Sequence, residues 1–160
     1  MPEIFDEKLS PVLENYLKII FVEESLHGTA RAADIARAAG VSRSTVTSAL
    51  KALKSLGALE YTPYGPVRLT MQGASLARRL FHRHSIFKKF FSSILHINDA
   101  EADKTACALA HAVPDDIIRK LGCFILYMES HSLPDSHWEE AYASNRDTIL
   151  SAIRSSSPSE

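Results

Sequence analysis

The spacing of small, apolar and glycine residues from Ala32 to Leu53 restricts this chain more than any other stretch. Apolar and small residues at Ala32, Ile35, Ala36 and Ala39 form one face of a short helix that Gly40 ends. Ser42 then caps a second helix, with Val46, Ala49, Leu50, Leu53 and Leu56 inward and Gly57 as its stop. Two short helices that cross steeply need a small residue where they touch, which Ala36 supplies. They also need a residue that accepts a left-handed backbone in the turn, which Gly40 supplies four positions later. Val41 is expected to plug the core behind the turn. This is the packing pattern of a helix-turn-helix.

The outer face of the second helix carries Arg43, Ser44, Thr45, Thr47, Ser48 and Lys51, short polar or basic side chains that suit a major groove. Leu59-Glu60-Tyr61-Thr62 and Val67-Arg68-Leu69-Thr70 follow, alternating at the strand period around the turn Pro63-Tyr64-Gly65-Pro66. A helix-turn-helix followed by a hairpin is a winged helix. Its wing makes Tyr64 and Arg68 candidate DNA contacts, joined by Arg31 before the first helix and by the Ser42 cap.

Charge follows the same division. The net charge is −1, yet residues 1–30 carry −4, residues 31–89 carry +9 and residues 90–160 carry −6. A basic centre between acidic flanks points to a polyanion partner for the centre. It continues past the hairpin into Arg78, Arg79, Arg83, Lys88 and Lys89.

The rest reads as helix. Pro11 after Ser10 opens a helix to about Ser25, with Leu13, Tyr16, Leu17, Ile20 and Phe21 on one face. Thr70 caps a long helix from about Met71 to Leu95, Asn98-Asp99 opens another to about Val113, and Pro114 restarts the chain to about Ser130. A weak helical stretch runs from Trp138 to Ile153. The expected fold is mainly α, an N-terminal winged helix-turn-helix followed by an all-helical dimerisation domain. The divisions fall at residues 1–72, 73–133 and a tail, 134–160. No apolar run is long enough to span a bilayer and no secretory signal is visible. The two cysteines, Cys107 and Cys123, make no C-x-x-C. The expected setting is the cytoplasm.

Several segments, in order, carry a resemblance to a known family. They are Glu14-Asn15-Tyr16-Leu17-Lys18-Ile19-Ile20, Ala33-Asp34-Ile35-Ala36, Val41-Ser42-Arg43-Ser44-Thr45-Val46-Thr47, the hairpin from Glu60 to Thr70, then Gly73 and Arg83-His84. Together they resemble the iron- and manganese-dependent repressors, the diphtheria toxin repressor and manganese transport regulator family, over about residues 10–130. The resemblance implies a homodimer on a palindromic operator of double-stranded DNA. It also implies a divalent metal, held between the DNA-binding and dimerisation domains, that favours DNA binding. The length matches the short, two-domain form.

Carried over position by position, the resemblance implies metal ligands at Asn15, His84, Asp103, Cys107 and His111. Lys18, Lys88 and Ala110 stand where relatives offer donors. Asp103, Cys107 and His111 are four residues apart in turn and would share one helical stripe, with His84 facing them from the long helix. Cysteine and histidine donors suit Fe(II), Co(II), Ni(II) or Zn(II) better than Mn(II). The two lysines and the alanine oppose any metal. A different metal preference, a thiol response at Cys107, and metal-independent DNA binding therefore all stay open. Phe87, Phe90, Phe91, Ile117, Ile118, Leu121 and Phe124 supply apolar surface for a dimer. A metalloenzyme built on His84, Cys107 and His111 lacks a glutamate placed as general base, and the chain has no phosphate-binding loop, so no enzyme and no organic substrate are expected. A winged-helix protein-interaction module is disfavoured by a recognition helix with Arg43, Lys51 and Lys54 and no acid.

Overall fold

The computed structural model describes residues 9–131, 140–148 and 151. Helix α1 spans Pro11–His27, α2 Ala32–Ala39 and α3 Arg43–Ser55. Strands β1, Leu59–Tyr61, and β2, Val67–Leu69, make the hairpin. Helix α4 runs Met71–Lys89 and continues as a π-helical turn, Phe90–Ile94, before α5, Asp99–Leu109, and α6, Asp115–Ser130. Residues 140–148 are helical; the rest of the expected tail helix, apart from residue 151, lies outside the described residues.

Four of the helices named above start on a side-chain cap, and α2 and α6 start without one. The Ser10, Ser42, Thr70 and Asn98 side chains each accept a hydrogen bond from a backbone N–H three residues on, satisfying a donor that a helix start leaves open. Between α2 and α3, Gly40 takes the left-handed backbone at φ 66°. Its N–H reaches the Arg37 carbonyl, and the Val41 N–H reaches the Ala36 carbonyl at 3.1 Å. This six-to-one bond holds Val41 against the end of α2. Val41 therefore stays 38% exposed instead of plugging the core as expected.

The winged unit packs on one cluster that includes Leu17, Ile20, Ile35, Val46, Leu50, Leu53 and Val67, all at or near zero exposure. Burying such side chains contributes about 1.5–3 kcal/mol each. The hairpin pairs Leu59 with Leu69, Glu60 with Arg68 and Tyr61 with Val67, which turns Leu59, Tyr61 and Val67 inward and Glu60 and Arg68 outward. Ala30 adds a bridge to Val67 from the α1–α2 connection, a fourth residue pair the alternation did not foretell.

The expected division at residue 72 cuts a shared element. Leu76, Ala77 and Leu80 of α4 belong to the winged-helix core, while Phe87 of the same helix joins Ala106, Ala110 and Ile118 in a second cluster. Gly73 makes the first attachment possible: a Cβ there would lie 1.7 Å from the Ala58 carbonyl oxygen. Replacing Gly73 with alanine must push α4 off the hairpin. Gly73→Ala should lower the urea unfolding free energy by about 1–3 kcal/mol, whereas Ser75→Ala, exposed on the same helix, should stay within about 0.5 kcal/mol of the parent.

Candidate DNA interface and metal-site region

The ten residues expected to meet DNA surround one feature. Arg31, Arg43, Thr47, Lys51 and Tyr64 line a cleft of about 420 Å³ between α3 and the hairpin tip, together with Tyr61, Pro63 and Gly65. Ser42, Ser44, Thr45 and Ser48 are exposed along the start and outer face of α3, and Arg68 is exposed on β2. Among the described residues, the side chains of Arg31, Arg43, Lys51 and Arg68 make no hydrogen bond or ion pair.

The basic residues of α4 behave differently. Arg83 donates to the Ala110 carbonyl at 2.9 Å and to the Val113 carbonyl, and pairs with Asp115. Lys88 pairs with Asp99 at 2.9 Å, and Lys89 with Glu129 at 2.8 Å. Lys54, counted on the recognition helix, donates to the Tyr61 carbonyl at 2.8 Å and fastens α3 to the hairpin. Arg31, Arg43 and Lys51 thus bring three unpaired cations to the one cleft.

Two further properties belong to this surface. Tyr64 sits at φ 63° with its ring fully exposed, a backbone that bulky residues avoid. The Pro63-Tyr64 turn, closed by the Gly65 N–H on the Thr62 carbonyl at 2.9 Å, holds it there. The hydroxyls of α3 are turned back on their own helix, Thr47 Oγ1 to the Arg43 carbonyl at 2.9 Å and Ser48 Oγ to the Ser44 carbonyl at 3.2 Å. Ser42 Oγ shares contacts of 2.8 Å with both Ser44 and Thr45.

The five expected metal ligands divide. Asn15, His84, Asp103 and Cys107 line one pocket of about 270 Å³ between α1, α4 and α5, which Lys18 also lines. Lys18 Nζ lies 3.7 Å from Cys107 Sγ, and that sulfur lies 4.0 Å from Asn15 Oδ1. Asp103 Oδ1 is 3.5 Å from His84 Nε2 and 3.6 Å from Lys88 Nζ. Burial, then the Lys18 charge, hold the His84 imidazole below its ordinary pKa against the pull of Asp103. The hydrogen bond to Asp99 raises that of Lys88.

His111 does not join them. Helix α5 ends at Leu109, so the expected stripe of Asp103, Cys107 and His111 is broken two residues before the histidine. His111 Nδ1 pairs instead with Glu14, in a separate pocket with Arg79, Arg83 and Ala110. Glu14 was not foreseen, although its place one residue before Asn15 on α1 was the available signal. Among the described residues no three His, Cys, Asp or Glu side chains are grouped to hold a metal ion. With one carboxylate already engaged by Lys88, an amide, and an ammonium beside the sulfur, this donor set does not fit a divalent cation.

The expected dimer residues also divide. Phe87 and Ile118 are buried inside the chain, with Phe91 and Leu121 packed against them, because α4 and α6 meet there. Phe90 lies edge-on to Phe91, ring centroids 5.5 Å apart, and is half-buried. Ile117 and Phe124 are exposed on α6, as are Leu126 and Tyr127.

Comparison with known proteins agrees with the two cores. Residues 8–67 match the iron dependent repressor N-terminal DNA binding domain, and residues 70–138 match the iron dependent repressor metal binding and dimerisation domain. The chain is 30% identical over 119 residues to an uncharacterised HTH-type transcriptional regulator of Methanocaldococcus jannaschii, covering 73% of this chain and 94% of that one. It is 30% identical over 122 residues to the HTH-type transcriptional regulator MntR of Shouchella clausii, covering 76% and 85%. The crystal structure of IdeR from T. acidophilum superposes with a TM-score of 0.60 at 29% identity, covering 75% of this chain. The chain spans about half the length of that solved relative, 54%. With both halves matched in order, the chain belongs to the iron-dependent repressor family of transcriptional regulators.

Proposed function

We propose that the protein is a sequence-specific DNA-binding repressor that acts as a homodimer on a palindromic operator. The observation that carries this reading is the cleft between α3 and the hairpin, where the unpaired cations Arg31, Arg43 and Lys51 meet Thr47 and the exposed Tyr64. In this reading α3 lies in the major groove, with Thr47 and Ser48 at base edges and Lys51 and Arg43 at phosphates. The hairpin tip lies on the adjoining backbone, with Tyr64 and Arg68 against it. Exposed apolar Ile117, Phe124, Leu126 and Tyr127 on α6 offer the surface for the second copy. A two-fold dimer presents two recognition helices, which is the requirement of a palindrome.

No helix among the described residues is long and apolar enough to cross a membrane. We place the work of the protein in the cytoplasm on the strength of the DNA reading alone. The same reading makes it a regulator and not an enzyme. Were a divalent ion taken up, His84 and Cys107 would favour Fe(II), Co(II), Ni(II) or Zn(II) over Mn(II), but Lys18 and Lys88 weigh against uptake.

Operator preference is measurable by selecting duplexes from a random pool and titrating them at several salt concentrations. A wild-type protein that shows no sequence preference at moderate salt would defeat the regulator reading. Lys51→Ala should weaken binding to every duplex alike and reduce the salt slope by about one unit. Thr47→Ala and Ser48→Ala should instead relax base preference at particular positions, by about 1–3 kcal/mol where a good contact is lost. For the dimer, Phe124→Asp should shift sedimentation from dimer to monomer with helicity retained, and unchanged sedimentation would remove α6 from the interface.

A further inference from the structure

Among the described residues one charged side chain is buried, and it is Lys18, 7% exposed. A buried ammonium is costly unless something nearby accepts from it. Its acceptor is Cys107 Sγ at 3.7 Å, on α5, while Lys18 itself stands on α1. Asn15, one turn earlier on α1, has its oxygen 4.0 Å from the same sulfur. His84, from α4, lines the same pocket. Asp103, the pocket's remaining polar wall, is shared between His84 and Lys88. Glu23 completes the charged lining from α1.

We propose that the Lys18 ammonium is the resident cation of this pocket. It joins α1 of the winged unit to α5 of the second unit from inside the chain, in place of an added divalent ion. Three helices meet around a histidine, an amide oxygen and a sulfur, and the positive charge is supplied covalently. Lys88 takes the outer half of the same task, drawing Asp99 and Asp103 of α5 onto α4. The relative placement of the two cores is then set by the sequence and does not respond to metal. The consequence for DNA affinity rests on the function proposed above; the consequence for metal uptake does not.

Co(II) is the probe, because a cobalt–thiolate bond adds a near-ultraviolet absorption. Metal-stripped wild-type protein titrated with Co(II) should show no such band and no rise in melting temperature. Its affinity for a duplex selected from a random pool should stay the same with and without Co(II). An allosteric metal would change it by about 5–150-fold. Lys18→Glu places a carboxylate beside Cys107, His84 and Asp103. It should take up one Co(II) per chain at least about 100-fold more tightly than wild type, with a band that Cys107→Ser abolishes. Lys18→Met keeps the buried stem without the charge, so it serves if Lys18→Glu does not fold. It should bind the duplex about tenfold more weakly than wild type in the absence of metal, about one step of 1.4 kcal/mol.

A cobalt–thiolate band in the wild type would overturn the proposal. So would full wild-type duplex affinity in metal-free Lys18→Met. If wild type binds no duplex in any state, the DNA reading fails and the Co(II) titrations alone decide whether Lys18 holds the site.

Discussion

One helix has to satisfy two cores at once, and the placement of everything else follows from that. The first half of α4 gives Leu76, Ala77 and Leu80 to the winged unit, and its second half gives Phe87 to the cluster with α5 and α6. An α-helix is stiff over this length, so the orientation of the DNA-facing cleft relative to α6 is fixed by how α4 is seated at each end. Gly73 against the Ala58 carbonyl sets one seat. Arg83, bound to two carbonyls at the end of α5 and paired with Asp115 at the start of α6, sets the other. In the dimer proposed above, interface geometry and recognition-helix spacing would therefore be coupled through backbone and not through a flexible linker.

The distribution of ion pairs sorts basic residues by task. Arg83, Lys88 and Lys89 of α4 are engaged by acids of α5 and α6, where they hold helices together. Positive charge on α3, β2 and the approach to α2 has no such partner. Partly screened surface pairs contribute little to stability individually, so the pairing of Lys88 and Lys89 matters chiefly because it withholds those charges from a polyanion.

Most of the fold was legible because most boundaries have a local chemical cause. Ser10, Ser42, Thr70 and Asn98 are caps by side-chain chemistry, and Gly40 ends α2 by backbone freedom. The hairpin strands follow from strict alternation. What could not be read depended on distant partners. Val41 is held by a backbone bond to Ala36 that no side-chain pattern encodes. The pairing of His111 with Glu14 brings together residues 97 apart, and it exists because α5 stops at Leu109. Position-by-position correspondence put Asn15, His84, Asp103 and Cys107 in one pocket correctly, yet it treated Lys18 as a missing ligand. Only the pocket where α1, α4 and α5 meet reveals that Lys18 is buried there.

The folded-back hydroxyls of α3 bear on how such a surface searches a long polymer. Thr47 and Ser48 already spend their protons on carbonyls of their own helix. Sliding over an unrelated duplex therefore leaves no hydroxyl stranded, and the cations in the cleft can hold the phosphates meanwhile. On the docking proposed above, a base donor can address the lone pairs these hydroxyls keep, while a base acceptor must compete with a hydrogen bond the helix possesses already. The internal bonds would then bias the helix toward bases that offer N–H groups at those positions.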